Sequence, residues 1–508
     1  MHFYKNIFNC IIKSKISSLK KEIKNPFKTQ ELIFKNLIKV AKKTFFGKKF
    51  NFSSIKNMED FNKNVPIFTY ETIYPYINLM LKGRSNILWP SSVLWFSKSS
   101  GTTNSKSKFI PVSKESLWNC HYKAGQDIIA IYMNNNPDSK LFFGNNISLG
   151  GVINNNFFHK NSNIKLGDIS AIIMKNLPFW IKWYRLSSSK TSLINNWEEK
   201  ISRIANIATK KNITSITGSP VWVILLIEKI LKINNKKNIH EIWPMLELYI
   251  HGAVSILPYK SAINKIILNS YINYMEVYNS SEGFFAIQDR LFKNDMLLLL
   301  NHGIFYEFIL FSEIKKKSPK VIRLDQVIVG LTYILVISTN SGLWRYIIGD
   351  TIRFTSINPF RIKIIGRTKN FINVFGEELV IENSEFAISK ACKLTNSIIN
   401  NYTVAPYFNL NKKKGHEWII EFIKSPKKIC QFVNILDSVL KNINSDYASL
   451  RFKNIILSKP IVHVVSNGIF YKWIKSRGSM GFQNKIPRLL NTRKYINDLL
   501  FFNNFFKN

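Results

Sequence analysis

Residues 99–108 form the segment of this sequence whose side chains are best suited to bind a polyphosphate. They comprise hydroxyl side chains, one glycine, one asparagine and two lysines, with no acidic residue. Hydroxyl groups, exposed backbone N–H groups and lysine all donate hydrogen bonds to phosphate oxygens. Apolar runs at 93–96 and 109–112 flank the segment, which predicts a loop between two strands. Such a loop favours an enzyme that activates carboxylates with ATP, although an ordinary polar hairpin loop is the plain alternative.

The segment differs from the Walker loop, because no Gly-Lys-Ser/Thr follows Gly101 at the required spacing. Support for a nucleotide site therefore has to come from other parts of the chain. Four further segments, in the expected order along the sequence, provide it.

Tyr278, Ser281 and Glu282 follow the strand-like run 275–277. An aromatic ring at the carboxyl end of a strand can stack on a purine. A carboxylate four residues later can hold Mg²⁺ beside the phosphates, because magnesium prefers few carboxylates together with phosphate oxygens. The alternative for Tyr278 is packing in the core with its hydroxyl group hydrogen-bonded.

Two shorter signals follow other strand-like runs. His251 and Gly252 come directly after one run, and a small residue there lets a base approach the backbone. His251 itself is predicted to pack or hydrogen-bond rather than to act as a general base. Asp350 comes just after another run, where an aspartate can accept hydrogen bonds from both hydroxyls of a ribose. Beside Gly349, it could equally be a turn aspartate.

The C-terminal part contains a Gly-Arg pair at 366–367 and a loop at 478–489 that contains Lys485. A lysine in a loop marked by Gly, Gln and Pro can enter a site and neutralise charge as a phosphoryl leaving group departs. Taken alone, Lys485 would be one more lysine in a lysine-rich protein.

Together these segments resemble the adenylate-forming superfamily of luciferases, acyl-CoA synthetases and peptide-synthetase adenylation domains. More narrowly, the chain resembles the Gretchen Hagen (auxin-responsive promoter) family of acyl acid amido synthetases, in its bacterial branch. The resemblance runs from the first helices to about Leu489. The phrases that carry it are 99–111, 243–259, 278–285, 444–447 and 481–489.

The resemblance implies a role for each matching residue. Lys485 would reach the reacting carboxylate and the α-phosphate, and Glu282 would serve both catalysis and Mg²⁺. Tyr278 would lie against adenine, and Asp350 would bind the ribose. The remaining nucleotide-binding residues and the hinge residue would be Ser99, Ser100, Gly101, Thr102, Thr103, Gly252, Ser281, Arg367 and, at the hinge, Lys369. Asn104 and Asn279 replace glycines or alanines usual in the family, and asparagine tolerates the left-handed backbone better than other non-glycine residues.

The elements that must position these residues belong to an α/β (α+β) protein. Residues 11–46 read as helical with a break at Pro26, and Ser113 is predicted to cap a helix. Strand-like and helix-like segments alternate to about residue 290, and 296–365 is rich in strands, as in an antiparallel or barrel-like subdomain. The resemblance implies an N-terminal ATP- and acyl-binding domain at 1–365 and a smaller mobile C-terminal α/β domain at 366–508, with its hinge near Lys369.

Composition excludes several classes of protein. With 46% hydrophobic residues, the chain can bury a sizeable core. Four widely separated cysteines argue against a disulfide framework or a zinc site and favour a reducing cytoplasm. No apolar run approaches the roughly 20 residues of a membrane helix. The net charge of +41 is spread over many short lysine groups, as AT-rich codon usage produces, and does not indicate specific nucleic-acid binding.

The predicted reaction has two halves and consumes ATP with Mg²⁺. A carboxylic acid is first converted to an acyl-adenylate, and an amine, such as an amino acid, then takes the acyl group. The protein is expected to be a monomer. Three alternatives stay open: transfer to a coenzyme A or carrier thiol, a decayed nucleotide-binding homologue, and a basic nucleic-acid-binding protein, which a steep salt dependence on random DNA would indicate.

Overall fold

The chain folds into two compact units, seen in a computed structural model. The described residues are 2–99, 108–151, 153–154, 163–178, 184–186, 191, 194, 196–252, 256, 259–268, 272–314, 316, 318–368, 371–372, 377, 379–408, 414–451, 457–476 and 486–505. The first unit comprises 1–253 and 269–364, and the second comprises 254–268 and 365–508. The predicted domains at 1–365 and 366–508, and the mobility of the second, stay predictions. Within the described residues, no helix is both long and apolar enough to span a bilayer.

Most of the described helices belong to the first unit. They are α1 (His2–Lys24), α2 (Pro26–Ala41), α3 (Phe45–Lys49), α4 (Met58–Asn64), α5 (Tyr70–Leu81), α6 (Lys114–Ser116), α7 (Lys123–Asn135), α8 (Ile169–Lys175), α9 (Trp197–Ala208) and α10 (Pro220–Asn234). A π-helical turn, Leu117–Tyr122, joins α6 to α7. Pro26 opens α2, where its missing N–H costs nothing, and this confirms the predicted break. The Ser113 hydroxyl accepts a hydrogen bond from the Ser116 amide, which confirms the predicted cap.

The strands of the first unit form two sheets. The strands are β1 (Trp95–Ser99), β2 (Lys108–Val112), β3 (Asn145–Ser148), β4 (Ile153–Asn154), β5 (Lys165–Gly167), β6 (Ile213–Thr217), β7 (Leu248–Gly252), β8 (Asn273–Asn279), β9 (Phe284–Ile287), β10 (Met296–Leu298), β11 (Ile304–Leu310), β12 (Val321–Ile322), β13 (Thr332–Thr339), β14 (Tyr346–Ile357) and β15 (Phe360–Arg367), whose last three residues belong to the second unit. The smaller sheet has the order β2-β1-β5-β4, and the larger has the order β12-β11-β13-β14-β15-β10-β9-β8-β7-β6-β3.

The large sheet has a parallel part and an antiparallel part. Strands β3, β6, β7 and β8 run parallel, as the predicted alternation of strands and helices requires. The strand-rich segment after residue 296 supplies antiparallel pairs, including β11 with β13 and β13 with β14. Phe46, Phe52 and Trp344 lie in the main core, fully or almost fully buried between the helices and this sheet.

The second unit is a smaller α/β body with its own core. Its helices are α11 (Lys260–Ile266), α12 (Ile381–Thr395), α13 (Ile429–Ile443), α14 (Ser445–Arg451), α15 (Ile469–Ser476) and α16 (Lys494–Phe505). Its strands are β16 (Phe371–Ile372), β17 (Leu379–Val380), β18 (Ile398–Phe408), β19 (Lys414–Lys424) and β20 (Ile461–Val465), the last three in one sheet of that order. Phe432, Leu436 and Leu440 recur at helical spacing on α13 and pack into a cluster that includes Trp418.

Candidate active site

Glycines lie at or just beyond the carboxyl ends of three of the four parallel strands. Gly218 follows β6, Gly252 ends β7 and Gly150 lies two residues beyond β3. A side chain at Gly252 is impossible without movement, because a Cβ there would lie 2.6 Å from the Val277 carbonyl oxygen of β8. The glycine thus lets β7 and β8 pack closely, at the edge where open α/β sheets bind ligands. Sequence reasoning identified Gly252 but missed Gly150 and Gly218, although a glycine soon after each of three strand-like runs was a usable signal.

Tyr278 and Asp350 are hydrogen-bonded although 72 residues separate them. The Tyr278 hydroxyl donates to Asp350 Oδ2 at 2.8 Å, and both residues are buried. The Tyr278 ring is 4% exposed and packs on Phe285 with its centroid 4.7 Å away. This arrangement matches the packing alternative for Tyr278, and stacking of its ring on adenine stays a prediction.

The hydrogen bond shows how strongly the large sheet curls. β8 and β14 are separated by β9, β10 and β15, so in a flat sheet they would lie roughly 19 Å apart. A tyrosine side chain cannot cross that distance. The sheet must therefore bend so that these two strands face each other, in line with the predicted barrel-like character of this region.

A β-bulge directs Asp350 toward Tyr278. Ile347 pairs with Val336 and Thr351 pairs with Ile334, so three residues of β14 lie opposite the single residue between those partners. Gly349 lies in this bulge with φ of +90°, a backbone conformation that glycine adopts without strain. Asp350 was predicted to follow a strand, but it lies inside β14 because the bulge lets the strand continue. Bulges next to functional sites commonly redirect a side chain.

Glu282 lies in the tight turn between β8 and β9. The Ser280 amide donates to the Gly283 carbonyl at 2.9 Å and closes the turn. The Ser280 hydroxyl donates to Glu282 Oε2 at 2.7 Å and accepts from the Glu282 amide at 3.1 Å. Burial raises the pKa of Glu282 above its usual value, and the nearby charge of Asp350 raises it further, whereas the Ser280 hydrogen bond and Lys108 lower it.

Those electrostatic contacts fit a magnesium site. Two carboxylates, Glu282 and Asp350, are near enough to repel, and a bound cation would favour the ionised form of both. In the part of the chain that the structure describes, no three His, Cys, Asp or Glu side chains gather as metal ligands. Magnesium needs no such cage, because it uses one or two carboxylates with substrate phosphates and water.

The base of the hydroxyl-rich loop is fastened to the Glu282 turn. β1 and β2 pair antiparallel, and Ser99 lies opposite Lys108, so residues 100–107 connect two paired strands as predicted. The Ser97 hydroxyl donates to the Ser281 hydroxyl at 2.8 Å. The structure thereby brings the ends of this loop to the same place as Ser281.

Lys108 ends the hydroxyl-rich segment predicted from the sequence, and Tyr70 is a neighbour of the site that sequence reasoning did not assign. The Lys108 ammonium lies 5.3 Å from the centre of the Tyr70 ring, and the Tyr70 hydroxyl accepts from the Phe109 amide at 2.7 Å. Burial raises the pKa of Tyr70 to about 12, and the negative charge of Glu282 adds to this shift. Nothing in the spacing of Tyr70 marked it, since it lies 39 residues before Phe109.

Several predicted residues lie outside the described part of the chain. These residues are Ser100, Gly101, Thr102, Thr103, Lys369 and Lys485. Ser99 is described only as the last residue of β1, and Arg367 is the half-buried last residue of β15. His251 is buried, and burial lowers its pKa to about 4, which agrees with the predicted packing role.

The segment after Lys485 is held firmly within the second unit. The Val404 amide of β18 donates to the Arg488 carbonyl at 2.8 Å, and the Leu490 amide donates to the Val404 carbonyl at 3.0 Å. The Arg488 guanidinium lies 4.4 Å from the centre of the Tyr402 ring and donates to the Tyr259 hydroxyl at 2.5 Å. Its burial would disfavour the charge, but Tyr259 and Tyr402 hold the pKa of Arg488 above its usual value.

Family models match most of the chain. The GH3 family N-terminal domain matches residues 15–272, the GH3 family central domain matches 297–367 and the GH3 family C-terminal domain matches 382–494. Among curated proteins, the 4-substituted benzoates-glutamate ligase GH3.12 of Arabidopsis thaliana is 22% identical over 525 residues, which cover 86% of this chain and 88% of the relative. The indole-3-acetic acid-amido synthetase GH3.4 of Arabidopsis thaliana is 22% identical, with 92% and 89% covered.

Solved structures share the fold. AtGH3.15 acyl acid amido synthetase in complex with 2,4-DB aligns with a TM-score of 0.78 at 16% identity, over 96% of each chain. The 2-hydroxyisobutyryl-CoA ligase in the postadenylation state, in complex with 2-HIB-AMP, aligns with a TM-score of 0.57 at 12% identity, over 93% of this chain and 91% of that chain. At these identities the likeness is one of fold.

Proposed function

The chain belongs to the GH3 family, and on that premise we propose that it is an ATP-dependent acyl acid amido synthetase. It activates a carboxylic acid as an acyl-adenylate and transfers the acyl group to an amine, which we propose is the amino group of an amino acid. The observation that carries the proposal is the cluster of Tyr278, Asp350 and Glu282 beside the base of the hydroxyl-rich loop.

In the first half-reaction, a carboxylate oxygen of the acid attacks the α-phosphorus of ATP, and pyrophosphate leaves. Asp350 binds the ribose and is oriented by the Tyr278 hydroxyl at 2.8 Å. The hydroxyls of Ser99, Ser100, Thr102 and Thr103 hold the phosphates, with the backbone at Gly101. Lys485 offsets negative charge at the α-phosphate, in a step that depends mainly on positioning and electrostatics. Gly252, Ser281 and Arg367 complete the nucleotide site.

Glu282 is the residue that would hold Mg²⁺. The ion supplies neutralisation of the charge on the phosphate oxygens when it is bound. Glu282 is 9% exposed and its carboxylate accepts from the Ser280 hydroxyl, so its position is fixed before nucleotide arrives.

In the second half-reaction, the amine nitrogen attacks the acyl carbon, the bond to AMP breaks and the amine loses one proton. The second unit moves about Lys369 between the two half-reactions, since hinges absorb such motion in a few residues. The curated relatives support this acceptor class, because one is named as a benzoates-glutamate ligase and another as an indole-3-acetic acid-amido synthetase.

The proposal includes a monomer in the cytoplasm, in the bacterial branch of the family. The four cysteines, Cys10, Cys120, Cys392 and Cys430, are all free, which supports a reducing compartment.

The test is acid-dependent exchange of pyrophosphate into ATP with a panel of aryl, indole and fatty acids. We expect exchange that requires one class of acid and Mg²⁺, and a loss on the order of 100-fold or more in Lys485→Ala. Lys427→Ala, which removes an exposed lysine of the same unit, is the matched control and should retain wild-type exchange.

The acceptor is then identified with the acid that supports exchange. Amide formation with amino acids supports the proposal, whereas thioester formation with coenzyme A alone would replace amide transfer by thioester transfer. ATP binding without exchange for any acid would indicate a decayed homologue. Salt-sensitive binding to random DNA without ATP binding would favour a nucleic-acid-binding protein.

A further inference from the structure

Arg345, the residue before β14, is buried in a backbone conformation that arginine seldom adopts. It is 3% exposed and has φ of +40°, in the left-handed region that favours glycine. Such a residue persists only where its surroundings fix it from several sides.

The guanidinium of Arg345 joins two other elements of the first unit. Its Nε donates to Glu307 Oε2 of β11 at 3.2 Å, and its Nη2 lies 3.0 Å from Glu307 Oε1. Its Nη1 donates to the Val65 carbonyl, just after α4, at 2.7 Å. The Phe61 ring of α4 lies beneath the guanidinium, 5.7 Å from its central carbon.

The backbone of Arg345 is held as tightly as its side chain. Its amide donates to the Ser338 hydroxyl of β13 at 3.0 Å. Its carbonyl accepts from the Phe68 amide at 2.9 Å, and the Ile347 amide donates to the Phe68 carbonyl at 2.9 Å. These two hydrogen bonds to Phe68 therefore fix the backbone on both sides of Tyr346, the first residue of β14.

These contacts set the register that creates the Asp350 bulge. Glu307, Val336 and Ile347 form one row across β11, β13 and β14. Arg345 lies two residues before Ile347, and its side chain extends past β13 to pair with Glu307 of β11. A slip of β14 by one residue would turn its side chains to the opposite faces. Asp350 would then no longer meet Tyr278.

A role in setting strand register would explain why a charged pair is buried among these strands. A well-packed apolar pair is often as stable as a buried ion pair or more stable, and the best-attested use of buried charge is to fix register. The Arg345–Glu307 pair lies beside the one bulge between β13 and β14, where register matters most.

We propose that Arg345 is a positioning residue for the nucleotide site, whose buried pair with Glu307 fixes the register of β14 and thereby aims Asp350 at Tyr278 and at the ribose hydroxyls of ATP. The inference rests on the proposed function, because it takes the ribose as the ligand of Asp350.

The test compares ATP with 2′-deoxyATP and 3′-deoxyATP, which lack one ribose hydroxyl each. Equilibrium binding by calorimetry and the ratio of kcat/KM values in acid-dependent exchange are both measured. Wild type should prefer ATP on the order of 10- to 100-fold, the range of a hydrogen bond to a charged group. Asp350→Asn should lose most of that preference and serves as the reference.

The informative variant is Arg345→Met with Glu307→Leu, because an apolar pair can preserve stability while removing the ionic contact. We expect its preference for ATP to fall about as far as in Asp350→Asn, and to fall less than 2-fold further when Asp350→Asn is added. A double variant that keeps the wild-type preference overturns the inference. Asp289→Asn with Arg361→Gln removes another ion pair of the first unit, one that is partly buried, and should leave the preference unchanged.

Ser338→Ala is a second variant for the case in which the double variant does not fold. It removes only the acceptor of the Arg345 amide and should lower the preference in the same direction by a smaller factor. If wild type binds ATP but no acid supports exchange, the proposed function fails while the binding ratios still decide the role of Arg345. If wild type does not bind ATP, both proposals are overturned.

Discussion

Two buried carboxylates, Glu282 in the first unit and Asp437 in the second, are stabilised in opposite ways. The Arg451 guanidinium donates to Asp437 through Nε and Nη2, each at 2.7 Å, and the Tyr447 hydroxyl donates at 2.8 Å. Burial alone would raise the pKa of Asp437, but these donors outweigh it and hold the pKa below its usual value.

Glu282 is surrounded by weaker donors. Its carboxylate accepts from the Ser280 hydroxyl, and this hydrogen bond and the charge of Lys108 lower its pKa, but burial outweighs both and the pKa is raised. The charge on Asp437 is balanced within the fold, whereas the described residues balance the charge on Glu282 only in part. A buried carboxylate such as Glu282, whose pKa is raised, is a candidate ligand for a metal ion, because a bound cation can compensate the rest of its negative charge.

The largest effect is expected where the balanced pair is broken. Arg451→Met leaves Asp437 buried without its main donor, and removal of one partner of a buried pair costs about 3–5 kcal/mol of unfolding free energy. Urea denaturation and hydrogen exchange of α13 measure this loss. Arg323→Met breaks the exposed pair with Asp325 and should cost at most about 1 kcal/mol. Equal losses of unfolding free energy in the two variants would show that the buried Arg451–Asp437 pair is no more important for stability than an exposed pair.

The opposite pattern is expected for Glu282→Gln. Pyrophosphate exchange should fall on the order of 100- to 1,000-fold, the loss typical of a preorganised electrostatic group. The unfolding free energy should stay within about 0.5 kcal/mol of wild type or rise, because no strong partner is lost. Exchange rates and urea denaturation are measured on the same preparation.

Glu59→Gln changes an exposed glutamate of the same unit and is the control, with wild-type values expected for both quantities. A Glu282→Gln variant that loses stability together with activity would show that Glu282 is a structural carboxylate like Asp437.

A smaller effect is expected when the Tyr278 hydroxyl is removed. Tyr278→Phe keeps the ring against Phe285 but deletes the donor to Asp350. We expect the KM for ATP to rise about 10-fold with kcat changed less, since a hydrogen bond to a charged group contributes about 1.5–3 kcal/mol. Steady-state exchange kinetics separate the two constants.

Tyr306→Phe removes a buried hydroxyl that donates to the Leu299 carbonyl and should leave the KM for ATP unchanged. A Tyr278→Phe variant with wild-type KM would mean that Asp350 is oriented without its help.

Local features of the fold were predictable from the sequence. Pro26 separates two helices because its ring fixes φ and lacks an N–H. Ser113 caps a helix through a hydrogen bond to an amide three residues away. Asn444, in a phrase recognised only by resemblance, accepts from the Tyr447 amide in the same manner. Each depends on contacts within a few residues.

The geometry of the candidate site was less predictable. The Tyr278–Asp350 hydrogen bond joins strands four places apart in the sheet, so it depends on the curl of the whole sheet. The bulge at Gly349 depends on the register of β14 against β13, which no local pattern encodes. Ser97 lies between the apolar run 93–96 and the hydroxyl-rich segment 99–108 and belongs to neither prediction, yet its hydroxyl contacts Ser281.

The smallest effect is expected in how stability depends on pH, and here the two carboxylates should differ in sign. The pKa of Glu282 is raised above the usual 4.5, so between 4.5 and its folded-state pKa the unfolded chain binds fewer protons than the native protein. Stability contributed by Glu282 is full below pH 4.5 and is lost as the pH rises through the folded-state pKa. The pKa of Asp437 is lowered from the usual 3.8, so its contribution is full above pH 3.8 and is lost as the pH falls.

Urea denaturation measures this difference for wild type and Glu282→Gln between about pH 4 and 7, and for wild type and Asp437→Asn between about pH 2 and 5, where the Asp437 contribution is lost. Each tenfold difference in proton affinity between the folded and unfolded states contributes about 1.4 kcal/mol. Wild type should lose stability relative to Glu282→Gln as the pH rises, whereas it should lose stability relative to Asp437→Asn as the pH falls. Saturating Mg²⁺ and ATP should reduce the pH dependence of the difference between wild type and Glu282→Gln, because the Glu282 charge would gain a partner. The difference between wild type and Asp437→Asn should not change. If the unfolding free energies of wild type and Glu282→Gln vary with pH in the same way, the charges of both carboxylates are balanced within the fold. Glu282 would then not be the ligand of Mg²⁺.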